Sequence, residues 1–236
     1  HAGGIKAAGT SYGIVESNEV FDNNGTGIWF DYARSGNPIF IFRNYIHNNG
    51  PEDAGIFFEV SKNGLIANNI IKNNTRRAIY ISASDDTRVY NNTIYGANTR
   101  AAIEVAGVPR SGATLTNNQV YNNTISESTT FYDLFYARDS IPNGSSNNIG
   151  DYNNIYRSLG LIKLSGDSGM PIYNSLSPWS LNTGLDLHSI SSIPSFIMSS
   201  PNTVNDFQLL STSPLIDAGS SSATGAGIDF LGNPIY

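Results

Sequence analysis

The chain contains no cysteine, which excludes both a disulfide framework and a thiolate-held metal. Charge is scarce as well, at 14% of 236 residues, and the balance is acidic, with a formal net charge of -6. An acidic surface repels a phosphate backbone, so no nucleic-acid partner is expected. No apolar run approaches the roughly 18 residues that a membrane span requires, and no stretch carries the helical spacing of apolar positions. A signal peptide is also missing: His1 runs straight into Ala2-Gly3-Gly4-Ile5-Lys6. The repeat described below is already under way there, so upstream coils of the same protein are expected to precede this chain. Absence of cysteine suits a bacterial protein that is secreted or held at the cell surface.

What is present is asparagine, glycine and serine punctuating short apolar runs. At 39% hydrophobic residues the chain has enough apolar material to fold. An asparagine precedes a branched aliphatic by two positions at Asn18/Val20, Asn44/Ile46, Asn69/Ile71, Asn92/Ile94 and Asn118/Val120, with spacings of 26, 25, 23 and 26. A second column, Ile5, Ile28, Ile56, Ile79 and Ile103, steps by 23, 28, 23 and 24 and usually follows Gly or Ala. Periods of this size mark a solenoid, in which each unit buries its inner face only against its neighbours. Leucine-rich repeats would need recurrent Leu and an alternating helix; these columns are Ile and Val. The predicted fold is therefore all-β, a right-handed single-stranded parallel β-helix. Regular coils are expected over 1–124, an inserted loop over 125–150, and irregular coils over 151–236. Within the last segment, Asp206 to Gly219 resembles the closing segment of bacterial surface β-helix proteins, which implies that it closes the final coil and covers the open end.

Strand pleating alternates side chains between faces. If the Ile column points inward, so do Ala7, Phe30, Phe58, Ile81 and Val105, all apolar. The outward positions are then Lys6, Trp29, Phe57, Tyr80 and Glu104, followed two residues on by Ala8, Asp31, Glu59, Ser82 and Ala106. The three aromatics read as an exposed platform for sugar rings. Asp31 and Glu59 read as a carboxylate pair on adjacent rungs, about 4.8 Å apart. Carboxyl groups about 5 to 5.5 Å apart are the arrangement of a retaining glycosidase. Two like charges that close also push one pKa upward, so one group holds a proton near neutrality. Asp31, with the shorter arm, suits the nucleophile, and Glu59 the acid/base. Lys6, Trp29, His47, Phe57, Tyr80 and Glu104 are the expected substrate contacts, with a polysaccharide or oligosaccharide as the partner. No cofactor is expected. Calcium binding by the stacked acids is an alternative, but no full ligand set is evident.

The segments Gly27-Ile28-Trp29-Phe30-Asp31, Ala54-Gly55-Ile56-Phe57-Phe58-Glu59-Val60 and Ala67-Asn68-Asn69 resemble glycoside hydrolase family 120. That resemblance implies a right-handed parallel β-helix and β-xylosidase-like activity, with Asp31 in the nucleophile's place and Glu59 in that of the acid/base. Two competing functions remain open. A polysaccharide lyase or uronate epimerase would draw charge from Lys6, Arg43 and Arg76, and a non-catalytic glycan-binding or surface scaffold module would bind without turnover.

Overall fold

The computed structural model describes residues 3–107, 110–137, 147–166, 170–223, 225 and 227–234. The chain winds as a parallel β-solenoid whose successive coils contribute strands to three stacked sheets. The first face holds seven strands: Ile5–Ala8, Ile28–Asp31, Ile56–Glu59, Thr75–Ser82, Asn98–Ala106, Tyr132–Tyr136 and Leu164–Ser165. The second runs from Gly13–Glu16 to Ile149–Asp151 and the third from Glu19–Phe21 to Asn154–Tyr156, six strands each. Every pairing within these sheets is parallel.

The register on the first face is the one the isoleucine column predicts. Ile5, Ile28, Ile56, Ile79 and Ile103 are successive partners. Ile28, Ile56 and Ile79 are wholly buried, with Phe58 and Ile81 beside them. Each such side chain contributes about 2 kcal/mol by leaving water. Glycine before this column is a packing requirement: a Cβ on Gly27 would lie 2.5 Å from the carbonyl oxygen of Gly55 on the next rung.

Corners are turned by single left-handed residues. Ser17, Arg43, Asn68, Asn91, Asn122 and Tyr152 all have φ between 55° and 57°, which permits a bend without a loop. The residue after each is a ladder asparagine. Asn44 donates from both its backbone N–H and its side-chain amide to Asn69 Oδ1, each at 3.0 Å. The same one-way pair of donations runs from Asn18 through Asn44, Asn69, Asn92 and Asn123 to Asn153, across separations of 26, 25, 23, 31 and 30 residues. This ladder satisfies buried backbone groups that would otherwise be orphaned along this corner of the solenoid.

Three features depart from the sequence reading. Asn118 is not the fifth rung: it bonds Asn148 at another corner, and Asn123 stands opposite Asn92. The coil there is 31 residues long, so counting at 23 to 26 lands one corner early. Second, the segment expected as a loop over 125–150 carries solenoid strands at Thr124–Ser126 and Tyr132–Tyr136, while 138–146 fall outside the described residues.

Third, the end cover is the helix Leu176–Thr183, not the Asp206–Gly219 stretch. Its Trp179 is wholly buried against Tyr136 and Tyr173 and donates to Asp186 Oδ2 at 2.8 Å. Asp186 Oδ1 in turn accepts from Asn153, terminating the ladder. The tail instead runs back along the outside. Phe207 packs with Tyr45, Ile70, Tyr95 and Phe196 on the third face. The corner asparagines Asn91 and Asn122 donate to the carbonyls of Ala223 and Ser220.

Candidate active site on the first face

Asp31 and Glu59 end neighbouring strands of the first face and are direct Cα partners. The chain must turn immediately after them, and Tyr32 and Val60 do so at φ 55° and 47°. A β-branched residue such as Val60 is rare in that region, and holding it there costs on the order of 1–2 kcal/mol. Val60 is fully buried with Ala83 and Ala113, which supplies the compensating packing. The strained corner sets where both carboxylates point.

Glu59 is half-buried and doubly held: Oε2 accepts from Trp29 Nε1 at 3.1 Å, and Oε1 pairs with Arg110. Asp31 Oδ1 is buried and has no hydrogen-bond partner among the described residues. Both acids sit above the usual carboxylate range. For Asp31 burial raises it, opposed by Lys6, Arg110 and the Tyr32 N–H. For Glu59 burial again leads; Arg110 and the Trp29 hydrogen bond oppose it, and the charges of Asp31 and Asp53 add to it. Burial raises both acids and Arg110 favours the anion of each; the other neighbours differ, Lys6 and the Tyr32 N–H favouring the Asp31 anion, while at Glu59 the charges of Asp31 and Asp53 favour the proton and the Trp29 hydrogen bond the anion. A nucleophile beside a general acid calls for unlike surroundings of this kind.

The aromatics are placed as the register predicts but are not an exposed platform. Trp29 stacks on Phe57 at 5.3 Å between centroids and Phe57 on Tyr80 at 4.9 Å. Lys6 Nζ lies 3.2 Å from the Trp29 ring centre and Arg77 lies 4.0 Å from that of Tyr80. The ring faces are therefore spent on one another and on two cations, leaving Trp29 and Phe57 buried. One rung is a strand spacing of about 4.8 Å, close to ring-stacking distance, so aromatics in register on a parallel sheet seal together.

Glu104 is likewise internal, 2% exposed, and bridged by Arg77 and Arg100. Burial opposes its ionisation, but the hydrogen bonds and charges of the two arginines hold it below the usual range. His47 is not near the pair. It lies on the third face, bonded to Glu19 and stacked on Phe21. There it lines a cavity of about 600 Å³ with Glu19, Arg43, Tyr45, Lys72 and Asn202. That space is a seam where the tail meets the solenoid; the carboxylates stand on a separate, open face. Of the sequence-expected set, the structure brings Lys6 and Trp29 to the Asp31–Glu59 pair, with Phe57 and Tyr80 stacked in line beyond Trp29.

Arg110 is the site residue that sequence reading missed. It arrives on the insertion that lengthens its coil to 31 residues, and that jump in period was the available signal. The insertion is pinned at several points. Ser111 Oγ meets Tyr32 OH at 3.1 Å, Arg34 donates to the Gly112 carbonyl at 3.1 Å, and Asp85 accepts from Thr114 and Thr116. Among the described residues no group of three or more His, Asp or Glu is arranged to hold a metal ion.

Residues 1–132 match the family described as right-handed beta helix region. The chain belongs to that family. The β-helix assignment fixes the hand of the solenoid seen here and covers the coils that carry Asp31, Glu59 and Arg110. A search of the curated proteins returns no match. No helix among the described residues is long and apolar enough to cross a membrane.

Proposed function

We propose that this β-helix protein is a retaining glycoside hydrolase, secreted or displayed by a bacterium, acting on a polysaccharide or its oligosaccharides. The observation that carries the reading is the direct pairing of Asp31 with Glu59 on adjacent rungs, in unlike environments. Asp31 attacks the anomeric carbon as Glu59 protonates the departing oxygen, giving a glycosyl ester on Asp31. Glu59, now ionised, takes a proton from water, whose oxygen displaces Asp31 and restores both groups. The likeness of 27–70 to glycoside hydrolase family 120 supports the same roles and a β-xylosidase-like reaction. A passive glycan-binding module is disfavoured because the aromatic faces such a module would offer are stacked on each other.

The test is hydrolysis of a panel of aryl glycosides by wild type, Asp31→Ala and Glu59→Ala. Both variants are expected to lose on the order of 10³-fold or more in kcat with an unactivated leaving group. Azide should restore turnover in each, giving a glycosyl azide of inverted configuration from Asp31→Ala and of retained configuration from Glu59→Ala. Undiminished turnover in either variant, or glycan binding by wild type without any turnover, would contradict the assignment.

A further inference from the structure

Resting on the hydrolase reading, we infer that the Tyr32 ring is the stacking platform of a second sugar subsite, which holds the neutral unit adjoining the scissile bond. Directly after the outward column of Ala8, Asp31, Glu59, Ser82 and Ala106, the chain turns its corner through Gly9, Tyr32, Val60, Ala83 and Gly107. Each of these corner residues has a positive φ, at 63°, 55°, 47°, 46° and 115° in turn. Glycine takes that conformation without strain, which accounts for Gly9 and Gly107. Val60 and Ala83 are wholly buried and pack with Ala113, so packing offsets their strain. Tyr32 has neither explanation: it is bulky, left-handed and 46% exposed. A side chain that breaks a local rule without a gain in packing points to a use beyond the fold.

The residue is also fixed at both ends. Its backbone N–H donates to the Glu59 carbonyl at 3.2 Å, and the next residue, Ala33, donates to Ser61 Oγ at 3.0 Å. Its hydroxyl meets Ser111 Oγ at 3.1 Å. Ser111 follows Arg110, which pairs with Glu59, so consecutive residues of the insertion touch Glu59 and Tyr32. The ring therefore reaches from the Asp31 corner to the insertion and borders the carboxylate pair. Trp29, Phe57 and Tyr80 cover one another, whereas Tyr32 stands outside that stack, and Gly9 on the preceding rung has no side chain to lay over it. A tethered aromatic with nearly half its surface open loses little freedom when the apolar C–H face of a sugar settles on it. The surrounding charge favours a neutral sugar. Asp53 acts on Glu59 alongside Asp31, so these three acids outnumber the cations Lys6 and Arg110.

The experiment compares the full chain as wild type, Tyr32→Asn and Tyr32→Phe. The substrates are trisaccharides of xylose, glucose, mannose and galactose in both anomeric linkages, and the matching glycosyl fluorides, whose leaving group brings no second sugar ring. The ratio of kcat/KM, trisaccharide over fluoride of the same sugar, is expected to fall about tenfold or more in Tyr32→Asn, the scale of one lost aromatic contact. Tyr32→Phe keeps the ring and loses only the bond to Ser111, so its ratio should stay within about threefold of wild type. Asparagine tolerates the left-handed corner, so Tyr32→Asn should melt no lower than wild type while the ratio falls. A merely structural tyrosine would show the reverse, a lower melting temperature at an unchanged ratio. An unchanged ratio in Tyr32→Asn, or an equal fall in Tyr32→Phe, would overturn the subsite and leave the hydrolase reading standing. If none of the substrates is cleaved, the hydrolase reading falls, and calorimetry with the trisaccharides decides the Tyr32 contact alone. Binding weakened about tenfold in Tyr32→Asn would uphold it; equal binding, or none by wild type, would overturn it.

Discussion

At the residue scale, the carboxylate pair is held at a cost. Asp31 has a buried oxygen without a partner among the described residues, and burial raises its pKa against the opposing Lys6, Arg110 and Tyr32 N–H, so its ionised form is disfavoured in the fold. A carboxyl whose pKa is raised on folding contributes stability below its unfolded pKa, and that contribution is lost as pH rises through the folded value. Replacing it by a neutral amide should therefore help the fold at neutral pH and make no difference in acid. Asp31→Asn is expected to melt slightly above wild type at pH 7, on the order of 1–2 °C given its solvent screening, with the gap closing by about pH 3. Melting curves by circular dichroism across that range check it; a lower Tm at pH 7 would show the anion is stabilising. Both acids were legible in the sequence because pleating and period alone place them on adjacent rungs. Arg110 was not, because the lengthened coil marks only that an insertion is present, not which of its residues reaches back across 51 positions to Glu59.

At the scale of elements, what was legible followed the repeat, and what was missed lay where the repeat changes length. The isoleucine column gave the register of the first face, since one inward position per coil suffices to align parallel strands. Asn118 was placed one corner early because the asparagine motif recurs at more than one corner of a coil. The aromatic column was correctly aligned, but its exposure was not, as burial there depends on rungs stacking their rings. The end cover expected at 206–219 rests on a resemblance to closing segments of other β-helix proteins, which carries no register for this chain. The tail's actual anchor is the strip of Tyr45, Ile70 and Tyr95 on the third face. Phe207→Ala should remove the centre of that anchor, at a cost of about 3–4 kcal/mol. Limited proteolysis is then expected to cut within 194–234 first, while the coils and any glycosidase turnover persist, because the carboxylates sit on another face. Simultaneous loss of the solenoid would show the tail to be integral to it.

At the scale of the molecule, the solenoid converts a sequence period into a spatial one, so residues 28 apart in the chain become neighbours one strand apart. Side chains on facing rungs are held by the hydrogen-bond ladder rather than by loops, and the asparagine stack, ended by Asp186 and Trp179, keeps the coils in register. A rigid scaffold is what a two-carboxylate mechanism demands, because the distance between the acids decides the stereochemical course. That consequence is the most direct measurement available. Proton NMR of the anomeric signal, followed from the first minutes of hydrolysis of an aryl glycoside before mutarotation, reads the configuration of the initial product. Retention is expected from carboxylates one rung apart; inversion would mean that Asp31 and Glu59 do not act as nucleophile and acid/base.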